Sequence, residues 1–183
     1  MADLFDRLGA TLLGKEGGYV NDPNDRGGET IWGITVAVAR AFGYSRPMRE
    51  MTRDEALQIY RKRYWEQPGF DRIAQIDEAL AERLFDIGVN MGQAVAGKML
   101  QRALNVLNRQ AADYPDVAVD GACGAMTRAA LGALIAKRGS AGRAVILGMV
   151  KALHSVRYIE IAEGNASQEA YEFGWQANRA LVG

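Results

Sequence analysis

A glutamate at position 16, an aspartate at 25 and a threonine at 30 stand within one turn-rich stretch, Glu16-Gly17-Gly18-Tyr19-Val20-Asn21-Asp22-Pro23-Asn24-Asp25-Arg26-Gly27-Gly28-Glu29-Thr30-Ile31-Trp32-Gly33-Ile34-Thr35. Such side chains suit acid-assisted cleavage of a glycosidic bond. One carboxylic acid protonates the leaving oxygen, and a second polar group stabilises the sugar cation or holds the attacking water. Glu16 is the candidate acid; Asp25, or else Asp22, is the candidate second carboxylate, and Thr30 the candidate for positioning water. Aspartates near glycine also make turns with no chemical role, so each of the two, taken singly, reads equally well as a turn residue.

The elements that must position these groups can be read from periodicity. Phe5, Leu8, Leu12 and Leu13 form one apolar stripe of a helix, and Gly17-Gly18 predicts its end. A carboxyl group there meets the negative end of the helix dipole, and partial burial disfavours its ionised form. Both effects favour the protonated acid that the chemistry requires. Alternation through Thr30, Ile31, Trp32 and Gly33 predicts a small hairpin folding back over the helix end.

Further along, Thr52-Arg53-Asp54-Glu55 is a capping box opening a helix with Leu57, Tyr60 and Tyr64. Leu80, Leu84, Ile87 and Met91 predict another helix with one buried face. Gly88 and Gly92 on that helix suggest close approach of a second helix or of a sugar. Asn90 could hydrogen-bond an N-acetyl group or a hydroxyl, or be a satisfied polar residue near a helix end. Tyr64 and Trp65 read as core aromatics, one of which could stack on a sugar ring.

Glu16-Gly17-Gly18-Tyr19-Val20-Asn21-Asp22, Gly27-Gly28-Glu29-Thr30 and Trp32-Gly33-Ile34-Thr35 together resemble the signature of glycoside hydrolase family 108, the N-acetylmuramidases of phage endolysins and certain bacterial secretion muramidases. Tyr60, Tyr64-Trp65 and Phe85-Asp86-Ile87-Gly88-Val89-Asn90-Met91-Gly92 extend the likeness over residues 10 to 95. The stretch is also similar, more loosely, to the glutamate, eight residues, aspartate, five residues, threonine pattern of phage-type lysozymes. Eight residues separate Glu16 from Asp25, but only four separate Asp25 from Thr30. The resemblance implies a mainly α, lysozyme-like fold with a small β-hairpin beside the active-site cleft. It also implies Glu16 as catalytic acid; Asp25 and Thr30 are its candidate catalytic partners, and Tyr19, Asp22, Trp32, Tyr64 and Asn90 are the substrate-binding candidates.

In the second half, Leu100, Ala103, Leu104 and Leu107 continue a helix. Val119-Asp120-Gly121-Ala122-Cys123-Gly124-Ala125-Met126-Thr127 then resembles the turn of peptidoglycan-binding helical modules. Arg157-Tyr158 through Glu172-Phe173-Gly174-Trp175 resembles the close of the predicted peptidoglycan-binding domain that accompanies family 108. An aspartate-glycine turn followed by Thr127 as a helix N-cap accounts for the first of these without any ligand. Tyr171 and Trp175, four residues apart, are expected in the core. The expected organisation is a catalytic domain over 1–95 and a helical peptidoglycan-binding region over 96–183, packed together around a helix shared near Met91 to Leu107.

Composition bounds the function classes. The 183 residues are 49% hydrophobic and 24% charged, as in an ordinary soluble domain. A single cysteine, Cys123, and a single histidine, His154, leave no intrachain disulfide and argue against a zinc site of the Cys/His kind. A Cys123–His154 nucleophilic pair is conceivable, but nothing nearby in the sequence would activate the thiol. No metal or other cofactor is expected. Net charge is zero, with 12 Lys and Arg against 15 Asp and Glu over 1–95 and 10 against 7 over 96–183. A mildly basic second half suits an anionic polymer, and no basic patch with interleaved aromatics points to nucleic acid.

No apolar run is long enough for a stable membrane insertion, and no secretory signal is visible at the N-terminus. The expectation is a monomer made in the cytoplasm, exported with the help of a holin, and acting on peptidoglycan in the periplasm as a muramidase. Alternatives are a bacterial muramidase serving secretion or wall remodelling, a lytic transglycosylase, a chitinase or chitosanase, and a non-catalytic wall-binding protein.

Overall fold

A computed structural model describes residues 4–13, 18–21 and 28–182, with 10–12 described as backbone only. Glu16, Asp22 and Asp25 lie outside the described residues. Among the described residues the fold is mainly α with one two-stranded antiparallel sheet. The chain divides into two compact units, residues 1–67 and 68–183. The expected boundary at 95/96 falls within a helix of the second unit.

In the first unit, α1 (Leu4–Leu12) buries Phe5 and is followed by the equally buried Leu13, as the apolar stripe requires. The Phe5 ring lies 6.2 Å from that of Trp65. The Arg61 guanidinium stands 4.4 Å from the Phe5 ring centroid and pairs with Asp6 at 2.6 Å. The hairpin is β1 (Thr30–Ile31) and β2 (Ile34–Thr35), paired Thr30 to Thr35 and Ile31 to Ile34. Thr35 then caps α2 (Val36–Ala41).

The capping box at Thr52 is present at the start of α3 (Arg53–Tyr60). Beyond Tyr60 the expected α-helix through Tyr64 does not continue; Arg61–Glu66 widens into a π-helical turn. The wider turn changes the angular step between residues, so Trp65 is buried and Tyr64 only half-buried.

The second unit packs α4 (Phe70–Ala74), α5 (Glu78–Met91), α6 (Gln93–Leu107) and a long helical segment, α7 (Ala125–Gly164), broken at Gly139. It ends with α8 (Glu169–Trp175) and a π-helical turn, Gln176–Ala180. On α5, Leu80, Leu84 and Ile87 are fully buried, the face predicted by their spacing. A Cβ at Gly88 would come within 3.1 Å of the Phe70 ring, so the close approach there belongs to α4. Gly92 has φ 97° and breaks the chain between α5 and α6, so no single helix runs from Met91 to Leu107.

Candidate functional site

Both flanks of the 22–27 segment are tied to one another. Val20 pairs with Thr30 through reciprocal backbone bonds of 2.8 Å, and the Val36 amide donates to the Glu29 carbonyl at 2.8 Å. Val20 thus extends the hairpin sheet through an isolated bridge on the outer side of β1. Tyr19, immediately before, donates its hydroxyl to Glu29 Oε1 at 2.6 Å. The Arg49 guanidinium stands 4.7 Å from the Tyr19 ring centroid, so the phenol is held from its edge and its face. Thr30 contributes a half-buried hydroxyl whose bond to the Gly28 carbonyl is long, at 3.4 Å.

Trp32 and Gly33 form the two-residue turn between β1 and β2, with φ of 54° and 73°. Positive φ at both central positions matches the twist of a hairpin, but a bulky side chain seldom occupies the first. Trp32 is held there by its indole N–H, which donates to the Met51 carbonyl at 2.9 Å. Its own carbonyl accepts from the Tyr60 hydroxyl at 3.4 Å. A Cβ at Gly33 would stand 2.6 Å from that hydroxyl, so the turn admits only glycine there. Tyr64 stacks at a tilt on Tyr60, with ring centroids 5.3 Å apart. Burial pushes the Tyr60 phenol up to about 12, keeping it a neutral donor.

Thr30 and Trp32 therefore lie on the small sheet and its turn, Tyr19 stands next to the Val20 bridge, and Tyr64 joins Trp32 through Tyr60. Sequence reasoning passed over Glu29 and Arg49, the two partners of Tyr19. An acidic residue directly before Thr30 was a visible signal for the first; nothing local marked the second.

Asn90 lies in the second unit, exposed near the end of α5. Its Nδ2 donates to the Asp86 carbonyl at 2.7 Å and to Asp86 Oδ1 at 3.1 Å, and its Oδ1 accepts from Arg179 Nη1. Burial pushes the Asp86 carboxyl up, against the pull of Arg179 and Arg83. Close by on α7, His154 is fully buried, and neither ring nitrogen has a hydrogen-bond partner among the described residues. Burial, with Arg83 and Arg179 adding to it, lowers this imidazole to about 4.

A stability prediction follows from His154. The unfolded chain takes up a proton below about pH 6.5, whereas the folded protein does so only near 4. Between those values the unfolded state binds more protons, so stability falls as pH falls. The expected loss from this group between pH 7.5 and 5 is about 2 kcal/mol. Asp86 works in the opposite sense over the acid range, so the His154 contribution is isolated by comparison with His154→Phe in urea titrations at both pH values. A flatter pH dependence is expected in the variant; an unchanged one would contradict the assignment.

Of the remaining candidates of the second unit, Cys123, Asp120 and Thr127 are structural. Cys123 is buried and its thiol pushed up to about 12; with His154 unbonded, the two do not form a thiol–imidazole pair. The buried Gln101 amide donates to Asp120 Oδ1, the Ala122 carbonyl and Thr127 Oγ1 at 2.7, 3.0 and 3.2 Å, which occupies the aspartate and threonine of the turn. Thr127 is not an N-cap: Gly124 stands at that position, without a side-chain cap. Nor is Tyr171 core. It is 58% exposed, the outer member of a ring stack running through half-buried Trp175 at 5.9 Å to buried Tyr158 at 4.9 Å from Trp175. Position on the outer face of a short terminal helix explains the difference. Among the described residues no three His, Cys, Asp or Glu side chains gather as metal ligands, and no helix is long and apolar enough to cross a membrane.

Residues 10–92 match the glycosyl hydrolase 108 family model, and residues 95–180 match that of a predicted peptidoglycan domain. Among solved structures the chain is similar to SagA of Brucella abortus, with a TM-score of 0.66 and 25% sequence identity over 96% of this chain and 89% of that one. No curated protein matches the chain.

Proposed function

We propose, for a chain that joins a glycosyl hydrolase 108 region to a predicted peptidoglycan domain and is thereby a peptidoglycan hydrolase, that the bond cleaved is the β-1,4 link between N-acetylmuramic acid and N-acetylglucosamine. The run from Glu16 to Thr35, inside the family 108 region and closed by the Val20–Thr30 pairing, carries this reading.

Glu16 protonates the glycosidic oxygen as the C1–O bond breaks. Asp25, or else Asp22, stabilises the oxocarbenium-like transition state or takes the proton of the attacking water, whose oxygen forms the new bond to C1. Thr30, fixed by its backbone ladder, positions that water. Tyr19, Trp32, Tyr64 and Asn90 contact the glycan, with Asp22 where it is not the second carboxylate. Residues 1–95 carry the chemistry and 96–183 hold the wall, where the exposed Tyr171 ring and its stack suit the C–H face of a sugar. No cofactor is needed. The protein acts outside the cytoplasm as a monomer; holin-assisted release of a phage endolysin into the periplasm supplies the route, with lysis of the cell as the result.

The test is to incubate the protein with purified sacculi and to measure soluble fragments and co-sedimented protein together. Release of fragments with binding is expected. Binding without release would reduce the chain to a wall-binding protein.

A further inference from the structure

We propose that Arg179, near the C-terminal end of the chain, is a positioning residue that fixes the amide of Asn90 so that only its carbonyl oxygen is left to meet the glycan. The inference rests on the proposed contact of Asn90 with substrate. An asparagine amide has two N–H donors and an oxygen with two lone pairs. Both donors of Asn90 are engaged by Asp86, at its carbonyl and its carboxylate. One lone pair of Oδ1 is engaged by Arg179 Nη1. What remains is the second lone pair, on a residue that is itself exposed.

The two ends of a primary amide are similar in size, so an unsupported asparagine turns over at little cost. Here a turned amide would set its NH2 group against the guanidinium and its oxygen against two oxygens of Asp86. Either opposition loses a hydrogen bond to a charged group, so one orientation prevails. Arg179 is itself held in place. Its guanidinium lies 3.9 Å from Asp86 Oδ1, and its carbonyl accepts from Arg83 Nη1, while Arg83 Nη2 donates to the Val182 carbonyl. The Arg83 side chain is 10% exposed, which makes it a buried clasp on the end of the chain.

The family 108 region thus receives a side-chain partner from the far end of the peptidoglycan domain, 89 positions away. An acceptor-only Asn90 selects a donor on the glycan: the N–H of an acetamido group or a sugar hydroxyl.

The test is a double-mutant cycle. kcat and KM are measured on soluble peptidoglycan fragments for wild type, Asn90→Ala, Arg179→Met and the double variant, with thermal unfolding of each. Each single change is expected to lower kcat/KM roughly tenfold, and the double change to cost no more than Asn90→Ala alone. Added guanidinium should restore part of the Arg179→Met activity and none of the double variant's. Arg83 clasps the backbone of Arg179 and not its side chain, so the fold should survive; Arg179→Lys, which keeps a cation and a donor, serves if it does not, with a smaller loss expected.

Wild-type kinetics in Arg179→Met beside an impaired Asn90→Ala would overturn the positioning role, as would strictly additive losses. Wild-type kinetics in Asn90→Ala would overturn the contact and leave the hydrolase intact. No turnover by wild type would instead strike the proposed function itself.

Discussion

Gly97→Ala should destabilise the protein by about 4 kcal/mol or prevent its folding, because the added methyl has no room to go. A Cβ at Gly97 would lie 1.9 Å from the Gly121 carbonyl oxygen and 2.9 Å from the Gly121 Cα. The obstacle is backbone, which cannot rotate aside as a side chain would. Gly121 cannot retreat either. It sits at φ 90°, with a would-be Cβ 2.6 Å from the Ala94 carbonyl, and its amide donates to Gln101 Oε1 at 2.7 Å. The control is Gly148→Ala on α7, where nothing lies within 4 Å; there alanine should stabilise by roughly 0.5–1 kcal/mol through helix propensity. Equilibrium denaturation of both variants checks the pair. A Gly97→Ala protein as stable as wild type would mean that α6 and the Asp120-Gly121 turn are not packed as described.

Glu16→Gln should lower the rate of peptidoglycan hydrolysis by a factor on the order of 10³ while leaving the melting temperature unchanged. The amide keeps the shape of the side chain and removes the proton supply, so binding should persist as catalysis is lost. KM near the wild-type value with a collapsed kcat is the expected signature. A variant retaining most of its kcat would remove Glu16 from the chemistry. The same measurement on Asp22→Asn and Asp25→Asn separates the two candidates for the second carboxylate, the one whose loss lowers kcat being the partner of Glu16.

Local signals in the sequence were legible and distant ones were not. The buried faces of α1 and α5 followed from the spacing of Phe5 and Leu13 and of Leu80, Leu84 and Ile87, because helix periodicity is set by the backbone. The Thr52–Glu55 box was legible for the same reason, both of its bonds lying within one turn. The hairpin was foreseen, but not that Trp32 would adopt a left-handed turn conformation. That geometry depends on Met51 and Tyr60, 19 and 28 residues away.

Three consecutive left-handed residues after α6, Arg109, Gln110 and Ala111, were equally hidden. Their strain is offset by Asn108 Oδ1 accepting from the Ala111 amide at 3.1 Å and by Arg109 and Lys137, which hold the Asp113 carboxyl well below the usual range. At the candidate site, Tyr19 was legible as part of a motif, whereas its bonding to Glu29 and Arg49 emerges only from the ladder. Arg179 reaches Asn90 across most of the second unit, and no periodicity or motif near residue 179 announces it.

The most direct measurement is to digest purified peptidoglycan with the wild-type protein, reduce the soluble products with borohydride, and identify the reduced ends by mass spectrometry. Hydrolysis of the proposed bond predicts muramitol at the new ends. Anhydromuramic ends, one water lighter before reduction, would make the chain a lytic transglycosylase, and glucosaminitol ends would show that the other glycosidic bond is cut; either result contradicts the account.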